Sequence, residues 1–180
     1  MSIPAGEYRF GPDNSTLAIN TGRTGAVARA GHDLLIHVTS WEATLAVADD
    51  PAQSRVEVSA DSSSMRVLEG TGGIQSLDDD DRQNIQQTID DEVLHRTKAS
   101  FRSSSVAPTP SGLHVQGELE MLDHTHALAF EVTADGDGSI EAVAVITQTD
   151  FGMKPYTALF GALKVANDVR VTLTAKLPPE

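Results

Sequence analysis

The sequence predicts an all-β protein: an antiparallel β-barrel of about eight strands around one apolar face, with one amphipathic helix and a short apolar capping helix. Three observations predict it. Apolar and polar residues alternate with period two through most of the chain, as in half-buried strands. Turn signals such as Asp49-Asp50-Pro51, Pro108-Thr109-Pro110-Ser111-Gly112, Asp135-Gly136-Asp137-Gly138 and Asn167-Asp168 separate the runs. Only short stretches break into helical periodicity. With 180 residues, 39% hydrophobic and 22% charged, the chain suits one domain, 1–180, and is too apolar for disorder.

The elements follow in order. Leu17 and Ile19 alternate with polar neighbours. Residues 22–31 form a non-strand connection, a loop or short helix. Trp41, Ala43, Leu45 and Val47 share one parity, and Val56, Val58 and Ala60 another run's. Between 76 and 95 the period changes: Ile85, Ile89 and Val93 recur every four residues beside Leu94, the stripe of an amphipathic helix. Ser76 with Asp79 suggests its N-cap. Asp78-Asp79-Asp80-Asp81 then meets the positive end of the helix dipole, a capping role favoured over a cation site. Ala99 and Phe101, then Leu113 to Met121, Leu128 to Val132, and Val169 to Leu177 resume the alternation. Ala142-Val143-Ala144-Val145-Ile146 is apolar on both parities, which predicts a strand covered on its outer side as well. Pro155 at a first helical position, followed by Tyr156, Leu159, Phe160 and Leu163, suggests the capping helix over 155–163.

Composition excludes several functions. A formal net charge of −13 with no basic run argues against nucleic acid, and disfavours anionic membrane surfaces for the same reason. The chain has no cysteine, so disulfides, thiol catalysis and thiolate metal sites are out. No stretch approaches the ~20 apolar residues of a membrane-spanning helix. The start, Met1-Ser2-Ile3-Pro4-Ala5-Gly6-Glu7, lacks a basic region followed by an apolar one, which gives the expectation of a cytoplasmic protein.

No catalytic set emerges from the residues. His124 and His126 share a strand face and could hold two positions of a zinc ion, but no third ligand is evident among His32, Asp33 and His114. His32 and Asp33 are neighbours on a strand and point to opposite faces, against a dyad. Ser62-Ser63-Ser64 and Ser103-Ser104-Ser105 lack the glycines of a nucleophile elbow and are expected at outward or edge positions. Thr71-Gly72-Gly73 is a turn without the lysine of a phosphate loop. What remains is the interior, aliphatic and poor in rings: aromatic residues are 4% of the chain. A barrel of about eight strands either fills its interior with side chains or holds one small ligand.

Gly6-Glu7-Tyr8-Arg9-Phe10, Gly31-His32-Asp33-Leu34, the helix leading to Ala99-Ser100-Phe101-Arg102-Ser103, Gly117-Glu118-Leu119-Glu120-Met121, Thr125-His126-Ala127-Leu128 and Asp150-Phe151-Gly152-Met153-Lys154-Pro155-Tyr156 follow one another in an order that resembles the YceI-like family, lipocalin-like barrels that bind polyisoprenoid chains. The most specific part of the resemblance is the last of these, together with Phe160-Gly161-Ala162-Leu163-Lys164-Val165. That stretch resembles a cytosolic branch of the family. One departure is Leu122-Asp123 with His126, where the family often shows Leu-His-Gly-Val-Thr followed by Lys or Arg. The turn there must be built differently, and any family role of that histidine does not carry over.

The resemblance implies a lipocalin-like barrel with a tunnel for a prenyl chain, and binding or carriage without catalysis or a cofactor. The expected ligand is an isoprenoid lipid, a prenyl quinone or polyprenyl compound. Candidate wall residues are Leu17, Ile36, Leu45, Val58, Phe101, Leu119, Phe130, Ile146 and Leu173. Phe151, Tyr156 and Phe160 would close one mouth, with Tyr156, His32 and His126 as headgroup contacts. Plain core packing competes for most of these positions. Two other readings stand beside this one: a metal-assisted hydrolase using His124 and His126, and a filled barrel acting as an interaction scaffold. A homodimer is compatible with the sequence, though no residue specifies one.

Overall fold

The computed structural model describes residues 3–177. The first half contributes β1 (Gly6–Phe10), β2 (Ser15–Asn20), the two-residue β3 (Arg23–Thr24), β4 (His32–Val38), β5 (Trp41–Val47), β6 (Arg55–Asp61) and β7 (Met65–Gly72). Helix α1 (Asp79–Thr88) follows. The second half adds β8 (Lys98–Thr109), β9 (Gly112–Met121), β10 (His124–Ala134), β11 (Ser139–Thr147), the short β12 (Thr157–Ala158) and β13 (Leu163–Val165), and β14 (Asp168–Lys176).

Eleven strands form one curled antiparallel sheet in the order β1-β5-β6-β8-β9-β10-β11-β14-β2-β4-β7. The count exceeds the expected eight because three long strands bend sharply and serve both ends of the sheet. β1 bends into β2, β4 into β5 and β6 into β7. Counted as bent pairs, the order returns to its own beginning, and eight long strands remain.

Each corner is fixed by small polar residues. At the first, Asn14 N donates to Gly11 O at 3.1 Å and Asn14 Oδ1 accepts from Gly11 N at 3.0 Å. At the other two, the serine run expected at an outward position is instead buried: Ser62 and Ser64 sit in a 3-10 turn. Ser64 Oγ accepts from Ser40 N at 2.9 Å, and Thr39 N donates to Ser64 O at 3.1 Å, which ties two corners together. A hydroxyl is the smallest side chain that both fits such a bend and satisfies a freed amide.

The helix begins later than the sequence suggested. Asp78, not Ser76, is the N-cap: its Oδ1 accepts from Asp81 N at 2.8 Å, while Asp78 N donates to Asp81 Oδ2 at 3.2 Å. This reciprocal pair is a capping box in which Asp replaces the usual Glu or Gln. After Thr88 the helix widens into a π-turn, Ile89–Val93, which delivers Leu94 to the core.

No helix forms over 155–163. The chain there makes β12, a 3-10 turn at Leu159–Gly161, and β13, which pairs with both β12 and β3. The reason lies in the backbone: Leu159, Phe160 and Gly161 all have φ between 51° and 85°, which no right-handed helix contains. The outer side of β11 is also less covered than expected. Val145 is 53% exposed.

Candidate functional site

The inward parity of the strands surrounds a cavity of about 190 Å³. Its wall runs from Leu17 and Ile19 of β2, through Leu45 of β5 and Val58 of β6, to Phe101, Leu119 and Phe130 of β8, β9 and β10. Ala142, Ala144 and Ile146 of β11, with Val171 and Leu173 of β14, complete the circuit. Leu94, delivered by the π-turn, lies at the helix side. The alternation read from the sequence is what places these side chains: on each strand the apolar wall residues recur two positions apart.

The barrel is hollow in one part and filled in another. Val106, Leu113 and Val115 are buried on the same sheet face but stand outside the cavity wall. Beside them, Phe101 and Phe130 face each other with centroids 5.2 Å apart and planes at 57°. Gly117 makes room for the Phe101 ring, because a Cβ there would lie 2.6 Å from Phe101 Cζ. The ring pair therefore lies side by side in the cavity wall, over a glycine of the strand between them.

Apart from Thr44, polar groups reach this space at one corner. Ser62 is 5% exposed and its Oγ has no hydrogen-bond partner, although the residue stands in the cavity wall. Asp61 adjoins it. The Asp61 carboxylate accepts from Ser63 Oγ at 2.7 Å and from Ser63 N at 2.9 Å. The Ser63 hydroxyl, the Ser63 amide and the charge of Lys98 hold its pKa below the usual carboxylate value, outweighing partial desolvation.

Of the wall residues expected from the sequence, only Ile36 falls elsewhere. It is buried, but stands outside the cavity wall, next to a register shift in the β4–β7 pairing. The expected mouth does not form. Phe151 is buried against the His126 ring, with centroids 5.1 Å apart, rather than facing the cavity. Tyr156 is 47% exposed and Phe160 fully exposed, so neither closes anything. His126 is an exposed partner of Phe151 and not a cavity residue. His32 is not one either; its Nε2 bonds Gln75 O at 2.7 Å.

The metal and dyad geometries are not built. His124 Nδ1 bonds Leu122 O at 2.7 Å, and among the described residues no three His, Asp or Glu side chains are placed to share an ion. Asp33 pairs with Arg23 at 3.6 Å and not with His32. The β9–β10 turn is indeed unusual. Leu122 and Asp123 have φ of 53° and 59°, the two positive values of a two-residue hairpin turn that normally selects Asn-Gly. Among the wall residues that sequence reading did not name, Ser62, Leu94 and Met65 lie where alternation gives no signal. The first two lie in a corner and a π-turn, where no simple period applies, and Met65 opens a strand not recognised from alternation.

A family profile described as the YceI-like domain matches residues 8–177. The chain belongs to the YceI-like family. YceI-like domains are binding barrels rather than a known enzyme family, which agrees with an apolar interior as the principal site. Among solved structures, the chain is similar to BcnA of Burkholderia cenocepacia at 14% identity and a TM-score of 0.64, covering 91% of this chain and 96% of that one. It is also similar to the YceI protein of Campylobacter jejuni at 11% identity and a TM-score of 0.54, covering 81% of this chain and 84% of that one. No curated protein matches. At such identities the YceI-like likeness is one of fold, and the interior of this chain must be judged on its own residues. Among the described residues, no helix is long and apolar enough to cross a membrane.

Proposed function

We propose that this chain binds, and carries or sequesters, a long apolar isoprenoid lipid, a prenyl quinone or polyprenyl compound, in its barrel. The observation that supports this is the cavity wall, apolar except for Thr44 and the Asp61–Ser62 corner. An apolar cavity of ~150 Å³ stays dry and takes up a benzene-sized molecule. The 190 Å³ here therefore suits a branched segment of a few carbons, roughly the leading units of a prenyl chain. Each buried CH₂ contributes ~0.8 kcal/mol, so even a short inserted segment binds appreciably. A longer chain must continue beyond this cavity. The Ser62 hydroxyl, buried without a partner in the wall, offers a group suited to an oxygen on the ligand.

The test is extraction of the purified protein with organic solvent, followed by mass spectrometry, and uptake of an added polyprenyl compound by the stripped protein. Ala144→Leu supplies the structural control. It fills the cavity from a small wall residue, so it is expected to raise the unfolding temperature while lowering prenyl uptake more than about tenfold. Uptake unchanged by Ala144→Leu would place the lipid elsewhere and defeat the proposal.

A further inference from the structure

Segments 22–31 and 153–166 pack into one lobe beside the barrel. β13 pairs with β3, Val27 N donates to Ala162 O at 3.2 Å, and Ala166 N donates to Gly22 O at 2.8 Å. The lobe sits at the barrel end where β2 and β11 finish and β4 and β14 begin. Ile19 and Ile146, each one residue short of its strand's end, belong to the cavity wall there.

Two properties set the lobe apart. Of the seven large apolar side chains exposed among the described residues, four lie on it: Val27, Tyr156, Leu159 and Phe160. Soluble monomers rarely gather apolar side chains in this way without a partner surface. The backbone holds them out. Leu159 and Phe160 sit at φ 51° and 55°, a left-handed conformation that bulky side chains avoid, and Phe160 is fully exposed as a result. The second property is charge. The 24 residues of the two segments contain Arg23, Arg29, Lys154 and Lys164 and no acid, in a chain with 26 acidic residues. Arg23 is engaged by Asp33, but Arg29, Lys154 and Lys164 are exposed and make no ion pair among the described residues. Acidic side chains crowd other places: Glu42, Glu57, Glu118 and Glu120 on the outer face of β5, β6 and β9, and the first turn of α1.

An apolar tip ringed by cations is the pattern of a lipid-interface anchor. We infer that this lobe docks on an anionic phospholipid surface, Leu159 and Phe160 entering the acyl boundary and Arg29, Lys154 and Lys164 meeting the headgroups. The chain-wide charge of −13 argues the other way, but charges act over about a Debye length of 8–10 Å, so the local set governs contact. The inference goes beyond the barrel's ligand and holds whichever molecule the cavity takes.

Flotation of the purified protein with vesicles of equal parts phosphatidylglycerol and phosphatidylcholine, against phosphatidylcholine alone, tests it without any prenyl compound. Binding is expected to the anionic vesicles and to fall in high salt. Phe160→Ser should weaken it about tenfold. Each of Lys154→Gln and Lys164→Gln should weaken it about fivefold. Phe160→Trp should show blue-shifted emission on anionic vesicles, against an unchanged signal from the buried Trp41. Phe160→Ser should unfold at the wild-type temperature, since the ring contributes no packing. No flotation with anionic vesicles, or flotation equal for wild type and Phe160→Ser, would overturn the inference. A concentration-dependent dimer abolished by Phe160→Ser, without vesicle binding, would overturn it too by assigning the lobe to a second copy of the chain.

Discussion

At the scale of single residues, Asp61 and Ser62 show how a corner can be structural on one side and face the cavity on the other. Asp61 has its folded pKa lowered, so its stabilising effect is present above the unfolded value of 3.8 and lost as pH falls through the folded one. The difference in unfolding temperature between wild type and Asp61→Ala should accordingly be larger at neutral pH than below about pH 3, measured by circular dichroism. Ser62 presents the opposite case. Its hydroxyl is buried without a partner, at a cost of ~1–3 kcal/mol. Ser62→Ala should leave the ligand-free protein as stable or up to ~1 kcal/mol more stable, while weakening a prenyl alcohol more than a prenyl hydrocarbon in a competition assay. None of this was legible in the sequence. Three consecutive serines carry no period, and only the bent connection from β6 to β7 shows which of them turn inward.

At the scale of elements, legibility follows regularity. The runs at Trp41–Val47 and Gly112–Met121 alternate without interruption and were readable from residue types alone. β8 was readable only up to Arg102, because a bulge between Ser103 and Ser105 moves the buried parity from Phe101 to Val106. There Ser103 Oγ accepts from Val56 N at 2.8 Å. β7 escaped notice for a similar cause. Its pairing with β4 shifts between Leu35 and Ile36, Leu68 turns outward, and Gly70-Thr71-Gly72 ends the strand. The 155–163 segment misled because its apolar spacing mimics a helix, whereas consecutive positive φ values cannot be read from side-chain type. The β9–β10 turn gives a direct test of backbone strain. Asp123→Gly should stabilise the hairpin by up to about 1 kcal/mol, seen as a higher denaturation midpoint with an unchanged slope. Gly117→Ala, by contrast, must displace the β8 backbone at Arg102 and Ser103 as well as the Phe101 ring, and should cost roughly 1–3 kcal/mol or more.

At the scale of the whole molecule, the site is a property of the sheet's closure and not of any one strand. Its wall draws on β2, β5, β6, β8, β9, β10, β11 and β14, so a ligand inside stabilises all of them together. The stripped protein should gain about 5–10 °C in unfolding temperature at a prenyl concentration near a hundred times Kd, measured by calorimetry. Closure itself depends on β14 pairing with β2, a contact that joins Ser15 to Ala175. On the ribosome, this means that the first strands emerge long before their partner is made. The N-terminal half waits with β2 unpaired on one side, and β11 stays open until Asp168 and the residues after it arrive. Such long-range pairing slows folding and prolongs the time for which strand edges are exposed. A nascent chain stalled before β14 would thus be an open sheet with two adhesive edges, a natural client for chaperones, and loss of the last dozen residues should abolish soluble expression rather than merely weaken the fold.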